Sequence, residues 1–222
     1  MEQASGNVSF AEMSLGEFVE RLSSAEAVPG GGSASALAAA LGASLVSMVS
    51  GLSTGRPKYA AYEETLTRCG ETGRALSAEL LDLADRDAIA YAGYAAALKL
   101  PRGTDEEQAA RRAAIHAAAL LASEAPMACV NACTRLAAAA ESLAGRSNVN
   151  ASSDVLVAAL LAEAAARGAA DNVRINLPAT GDGAYADAMD RKLDVALHEV
   201  AALVAQTREI VLSGQAREPE DE

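Results

Sequence analysis

Hydrophobic and small residues repeat along most of the chain at intervals of three and four, which is the spacing of one face of an α-helix. The stretch from Ser33 to Thr54 carries two such faces. The larger residues form one face: Leu37, Leu41, Leu45, Met48 and Leu52. The small residues form the other: Ala36, Ala40, Ala43, Ser47 and Ser50. The pattern predicts a helix over 33–54 that is apolar on both sides.

Five further helices are predicted from the same periodicity and from their end signals. Ser14 and Glu17 match a capping box, and Thr104 precedes acidic residues that favour a helix start. The predicted spans are 15–23, 59–98, 104–143 with a bend near Pro126, 155–170 and 184–213. The fifth of the six predicted helices is expected to be capped by Ser152, Ser153 or Asp154. Residues 145–150 and 171–183 are expected to be polar connections.

These elements predict an all-α, single-domain bundle of about six helices with long antiparallel helices. An N-terminal segment, 1–13, precedes the helical domain at 14–213, and 214–222 are expected to form a disordered acidic tail. Hydrophobic residues make up 51% of the chain and aromatic residues only 3%, which favours Ala-rich helix packing over a β-sandwich.

The formal charge of −12 argues against nucleic acid as a partner, because an acidic chain repels phosphates. Residues 27–55 carry no charge and are long enough to cross a bilayer, but they lack basic flanks and an aromatic belt. We interpret them as a helix buried on both sides within a homodimer, with no membrane contact.

The three cysteines are an odd number and indicate reduced thiols and a cytoplasmic location. Cys129 and Cys133 share a helical face, but neither His116 nor His198 has ligand spacing to them. We interpret the cysteines as small buried side chains and predict no metal site.

Candidate chemistry lies first in the turn that contains Gly30, Gly31, Gly32 and Ser33. Glycines before a helix let backbone N–H groups approach an anion or a carbonyl. A tight turn packed under another helix explains the same residues.

Two acids follow on the third predicted helix. Asp85 and Asp87 are two residues apart and point about 200° away from each other. Asp87 shares a face with Tyr91 and Tyr94, and a carboxylate beside two phenols is a candidate general acid/base. The alternative is a solvated acid paired with Arg86.

Asparagines mark two further candidate binding segments. Asn148, Asn150, Ser153 and Asp154 lie around one connection, and Asn172 and Asn176 in the next. Asn both donates and accepts, which suits an amide-rich ring such as a pterin. It is also a common turn and cap residue.

The order of these motifs resembles one known family. Six motifs occur in this order between Ser14 and Ser213: P-G-G-G-S, T-G-R-P-K-Y, L-x-D-x-D-x-x-A-Y, A-L-K-L-P-R, S-D and N-V-x-I-N-L. This order resembles the cyclodeaminase domain of formiminotransferase-cyclodeaminase and the stand-alone methenyltetrahydrofolate cyclohydrolases. The resemblance implies an all-α dimer with folate sites near helix ends and Asp87 as proton donor and acceptor.

The resemblance implies formimidoyltetrahydrofolate cyclodeaminase activity, with methenyltetrahydrofolate cyclohydrolase as the alternative and a non-catalytic helical dimer or scaffold as a third hypothesis. The substrate would be a folate, no cofactor is needed, and a separate formiminotransferase is a candidate partner. Arg56, Lys58, Lys99 and Arg102 are expected to include the residues that attract the anionic folate tail, because an acidic protein needs a local positive patch. Pro57 interrupts the basic run usual in the family, and Arg102 stands in the family's L-P-K motif.

Overall fold

Six α-helices make up most of the computed structural model, which describes residues 9–219. They are α1 (Leu15–Leu22), α2 (Gly31–Gly51), α3 (Glu63–Leu98), α4 (Asp105–Leu143), α5 (Ser152–Asn176) and α6 (Gly183–Ser213). Short 3₁₀ segments lie at Phe10–Glu12, Pro57–Tyr62, Val149–Ala151 and Leu177–Thr180. Residues 9–219 contain no strand, and the predicted all-α fold with six helices is confirmed.

The bundle is built around α2, which packs between α3 and α5. Helix α4 packs on the same two helices, and α6 packs on α4 and α5. Ser33 near the start of α2 contacts Asp87, whereas Ala43 further along contacts Gly73, so α2 and α3 run antiparallel. The capping boxes of α1 and α4 are formed as predicted from Ser14 and Thr104.

Small residues let α2 approach its neighbours closely. Ala36, Ala40 and Ala43 are almost completely buried, while Leu41 on the opposite face is 61% exposed. The small stripe therefore forms the core contact within one subunit. Leu41, Met48 and Leu52 face outward, whereas Leu37 and Leu45 are partly buried against the core. The expected cover of the outward face by a second subunit stays a prediction.

Helix α5 is longer than its periodicity indicated. Residues 171–176, expected to be a connection, form its last turns, because nothing breaks the helix before Pro178. At its other end the helix begins at Ser152 after Ala151, which makes no side-chain cap. Ser153 and Asp154 therefore lie inside the first turn and do not cap the helix.

The C-terminal segment is held against the bundle as far as Glu218. The Tyr62 hydroxyl donates to the Arg217 carbonyl at 2.8 Å, and the Arg217 N–H donates to the Gly145 carbonyl at 3.0 Å. The Arg217 guanidinium lies 2.8 Å from Glu141. This differs from the disordered tail expected over 214–222; residues 220–222, like 1–8 of the N-terminal segment, lie outside the described residues.

Three stretches of the described chain are long and apolar enough to cross a membrane by length and composition alone. They are Gly31–Gly51, Asp105–Leu143 and Val149–Thr180. Half of the apolar window in Gly31–Gly51 is buried inside the bundle. Its hydrophobicity is thus used, in this structure, for packing on α3 and α5.

Two glycines on α3 test the close packing. Gly73→Ala should lower the free energy of unfolding by about 1–3 kcal/mol, because a Cβ would lie 2.6 Å from the Ala43 carbonyl oxygen and 2.8 Å from the Ser47 nitrogen. Gly93→Ala places its Cβ where nothing lies within 4 Å. That control should raise the free energy of unfolding by about 0.5–1 kcal/mol. Urea unfolding of both variants is the measurement, and stabilisation by both would contradict the packing described.

Candidate active site

A cavity of about 330 Å³ opens at the N-terminal end of α2, where α2, α3 and α5 meet. Most of the predicted site residues line it: Gly30, Gly31, Gly32, Ser33, Asp87, Tyr91, Tyr94, Asn172 and Asn176. The remaining walls are apolar: Ala27, Val28, Ala122 and Ile175. Three motifs that are far apart in sequence therefore form one pocket.

Asp87 lies half-buried at the base of this arrangement, against the first turn of α2. The Ser33 hydroxyl lies 3.3 Å from Asp87 Oδ2. Burial raises the pKa of the Asp87 carboxyl, and hydrogen bonds from the Ser33 side chain and backbone oppose that rise. Position 32 has no room for a side chain, because a Cβ there would collide with the Asp87 carboxylate.

Tyr91 and Tyr94 extend from the same face of α3 towards the mouth of the cavity. Tyr91 is 44% exposed, and Tyr94 is half-buried. Their positions, one and two turns after Asp87, agree with the shared face expected from the sequence. They can contact a ligand whose reacting atoms lie at Asp87.

Asn172 and Asn176 contribute from α5. The Asn172 side-chain nitrogen donates to the Gly168 carbonyl at 2.8 Å. The Asn176 nitrogen donates to the Ala122 carbonyl at 3.1 Å and the Asn172 carbonyl at 3.0 Å. Asn176 thus uses both of its side-chain N–H groups and Asn172 one of its two, and the side-chain carbonyl oxygens of both residues are the groups that can accept from a ligand.

Asp85 has a different environment from Asp87. It accepts hydrogen bonds from the Ser9 hydroxyl and the Phe10 N–H, each at 2.7 Å. Phe10 is buried and packs edge-on against Phe18 at 5.5 Å. Asp85 therefore holds the segment before α1 on the surface of α3, in agreement with the opposite directions expected for the two acids.

The other predicted site residues do not join this cavity. Lys58 and Asn148 line a second cavity of about 200 Å³ near the C-terminal end of α2. The Asn148 N–H donates to Ser53 at 2.9 Å, and Lys58 lies 5.3 Å from the Tyr59 ring centre. Since α2 spans Gly31–Gly51, the two cavities are separated by about 30 Å along its axis.

Five more predicted residues lie outside both cavities. Asn150, Ser153 and Asp154 lie at the start of α5, near the second cavity, and Lys99 and Arg102 are exposed between α3 and α4. One subunit therefore does not bring all the predicted site residues into one cavity, and the roles of these five stay predictions. The apolar walls, Val28 and Ile175 among them, were missed because isolated hydrophobic residues beside polar motifs carry no distinct signal.

Metal ions in proteins are bound by clusters of side chains such as His, Cys, Asp and Glu. Over residues 9–219, no group of three or more His, Cys, Asp or Glu side chains is arranged to hold a metal ion. Cys69, Cys129 and Cys133 are all buried.

Comparison with known proteins gives consistent matches over most of the chain. The formiminotransferase-cyclodeaminase family profile matches residues 14–195. A methenyltetrahydrofolate cyclohydrolase of Methylorubrum extorquens is 38% identical, over 88% of this chain and 94% of that protein. A formimidoyltransferase-cyclodeaminase of Rattus norvegicus is 36% identical over 88% of this chain, which spans only 37% of the rat protein.

A solved structure matches the fold as a whole. The formiminotetrahydrofolate cyclodeaminase of Thermotoga maritima superimposes with a TM-score of 0.81 at 25% sequence identity. The match covers 91% of this chain and 98% of the other.

The burial of Asp87 predicts a pH-dependent effect of Asp87→Asn on stability. Because burial raises the pKa of this carboxyl, the folded state binds the proton more tightly than the unfolded chain, and the charged form lowers stability at neutral pH. Asp87→Asn should therefore raise the Tm at pH 7. The difference should shrink as the pH falls through the raised pKa, because the wild-type carboxyl is then neutral too.

Thermal unfolding between pH 4 and 8 measures this effect, with Asp85→Asn as the control. That change weakens the bonds to Ser9 and Phe10 and should not stabilise the protein at pH 7. A constant Tm difference across the range would show that Asp87 is solvated in the folded protein.

Proposed function

The chain belongs to the formiminotransferase-cyclodeaminase family, and we propose that it is a formimidoyltetrahydrofolate cyclodeaminase, an enzyme that closes the 5,10-methenyl bridge of tetrahydrofolate and releases ammonia. The observation that carries the proposal is Asp87, a half-buried carboxyl in a pocket lined by phenols and amides. A core built only for packing needs no such group, which disfavours a non-catalytic scaffold.

The reaction requires one proton to move between two nitrogens. N10 of the folate attacks the formimidoyl carbon and gives a tetrahedral adduct. The bond from that carbon to the amino nitrogen then breaks, and ammonia leaves. A single carboxyl can accept the proton from N10 and deliver it to the leaving nitrogen, without metal or cofactor. Burial, by raising the pKa of Asp87, favours the form that can give the proton back.

The remaining lining groups are suited to hold the ring system. The side-chain carbonyl oxygens of Asn172 and Asn176 can accept from pterin N–H groups. Tyr91 and Tyr94 offer aromatic faces and hydroxyls at the mouth. Lys99 lies about 18 Å beyond Asp87 along α3, so it and Arg102 are the proposed contacts for the anionic glutamate tail.

Methenyltetrahydrofolate cyclohydrolase is the second candidate. The specific observation in its favour is the stand-alone relative of that name, of which this chain covers 94%. In that reaction Asp87 would take a proton from the water that adds to the methenyl carbon. We also propose a cytoplasmic enzyme, supported by its odd number of cysteines, three, which suits a reducing compartment. A separate formiminotransferase would supply the substrate, an inference supported by the double name of the long rat relative.

Offering the purified protein both substrates distinguishes the two reactions. Methenyl absorbance should appear with 5-formimidoyltetrahydrofolate if the first proposal holds, and disappear from methenyltetrahydrofolate if the second does. Asp87→Asn should lower kcat about 10²–10⁴-fold with KM nearly unchanged. Asp85→Asn should lose much less activity. Turnover of neither substrate would contradict both candidates, and undiminished turnover by Asp87→Asn would exclude Asp87 as the acid/base.

The outward face of α2 supports a homodimer as the working form. Leu41 on α2 is 61% exposed, and Val157 and Leu160 on the neighbouring helix α5 are 44% and 45% exposed. Residues 27–55 carry no charge, while the chain as a whole carries −12. Two copies repel one another elsewhere and can approach most closely over this face.

The position of Leu41 also bears on the residues missing from the Asp87 cavity. It is the midpoint of α2 (Gly31–Gly51). A two-fold axis near Leu41 and perpendicular to α2 would lay α2 antiparallel on its copy, with the C-terminal end of one helix beside the N-terminal end of the other. Lys58 and Asn148 of one subunit would then approach the Asp87 cavity of its partner.

Leu41→Glu tests this assembly. Two buried carboxylates at the two-fold axis should dissociate the dimer and lower activity if the partner completes the site. Val195→Glu is the control, because Val195 is 69% exposed on α6, away from that face. Light scattering at micromolar concentration gives the mass. A stable wild-type monomer would overturn the proposal, and an unchanged dimer in Leu41→Glu would move the interface elsewhere.

A further inference from the structure

We propose that Ser33 is a positioning residue for Asp87, whose hydroxyl partners the carboxyl in both of its protonation states, and not a substrate-binding residue. The inference rests on the proposed function, because it concerns the proton carried by Asp87. It also revises the role expected for Ser33 from the sequence, where the glycine-rich turn was a candidate for direct ligand contact.

Ser33 borders the cavity, but its burial leaves it no exposed surface for direct contact with a ligand. Its side chain has no exposed surface, with a relative exposure of 0%. The hydroxyl oxygen lies 3.2 Å from the Ala84 carbonyl oxygen and 3.3 Å from Asp87 Oδ2. Ala84 and Asp87 lie about one turn apart on α3, so the Ser33 hydroxyl lies between two acceptors of the same helix.

A hydroxyl has one proton and can both donate and accept. When Asp87 is charged, the Ser33 hydroxyl donates to Oδ2 and stabilises the carboxylate. When Asp87 is protonated, its O–H donates to Ser33 Oγ, and the Ser33 proton turns to the Ala84 carbonyl. No polar group loses its partner in either state, as required for a group that acts first as base and then as acid.

The start of α2 is shaped around the same carboxyl. The Ser33 backbone N–H, like its hydroxyl, acts to lower the pKa of the Asp87 carboxyl, and the N-terminal end of a helix favours a negative charge. A Cβ at Gly32 would collide with the carboxylate. The glycine-rich turn therefore brings the amide of α2 to the protein's own carboxyl.

The groups facing Asp87 leave few other sources of pH dependence. Helix α2 contributes Ser33, α3 contributes Tyr91 and Tyr94, and α5 contributes Asn172 and Asn176. Among the described residues that line the cavity, Asp87 alone is charged at neutral pH. Its interaction with Ser33 should therefore be visible in the pH profile of turnover.

Ser33→Ala is the direct test. Loss of the hydroxyl should lower kcat by roughly 10–100-fold, the worth of a hydrogen bond to a charged group, with KM changed less than about twofold. The acidic limb of the kcat profile should move to higher pH, because a donor to the carboxylate is gone. Ser50→Ala is the matched control: Ser50 is buried on α2 and donates to the Leu66 carbonyl of α3, with no carboxylate involved. It should leave the profile unchanged.

A double variant tests whether Ser33 acts through Asp87. In an Asp87→Asn background, Ser33→Ala should have almost no further effect on kcat. An equal loss in both backgrounds, or a raised KM with an unmoved pH limb, would overturn the inference. If Ser33→Ala does not fold, Gly32→Ala displaces the carboxylate while keeping the hydroxyl, and should give the same loss of kcat; an unchanged kcat would overturn the inference.

Carbon-13 NMR titration of the Asp87 carboxyl, assigned with Asp87→Asn, separates this inference from the proposed function. Without substrate, Ser33→Ala should raise the pKa of Asp87 and Ser50→Ala should not. An unchanged titration would refute the Ser33 role even in an active enzyme. Activity that survives Asp87→Asn would refute the proposed function of Asp87, whatever the titration shows.

Discussion

The close approach of α2 to α3 is the constraint on which both the core and the candidate site depend. At Gly73 the two backbones are so near that a methyl group would meet the Ala43 carbonyl oxygen at 2.6 Å. At the other end of the contact, the first turn of α2 reaches the Asp87 carboxyl through Ser33. The same small residues that replace a large hydrophobic core therefore also bring a helix N-terminus to a buried acid.

Local sequence patterns identified the pieces of the site that lie on one helix. Asp87, Tyr91 and Tyr94 follow from helical periodicity, which also separated Asp85 from Asp87 and anticipated its contact with other groups. The six helices follow from periodicity and caps. The end of α5 was misplaced because polar residues near Asn172 suit the last turns of a helix as well as a loop.

The distances between residues on different helices could not be predicted from the sequence in the same way. Lys58 and Asn148 are near the C-terminal end of α2, and periodicity contains no measure of the distance between helix ends. Periodicity could not decide which face of α2 packs inward either, because neither its Leu-containing face nor its Ala/Ser face carries a charge. Close packing decides between them: only the small stripe lets α2 approach α3 and α5, so Leu41 faces outward.

Asp87 is the one charged residue among the described residues that line its cavity. Such a carboxyl is suited to both reactions after which the relatives are named. In the cyclodeaminase direction a neutral acid gives its proton to the leaving ammonia, and a cationic methenyl bridge forms beside the resulting carboxylate. In the cyclohydrolase direction the cation is present first, stabilises the carboxylate, and the attacking water gives up its proton. The cyclodeaminase reaction therefore ends with a cation beside the Asp87 carboxylate, and the cyclohydrolase reaction begins with one. Burial raises the pKa of Asp87 and the Ser33 bonds oppose that rise, and a cationic folate beside the carboxyl would oppose it further.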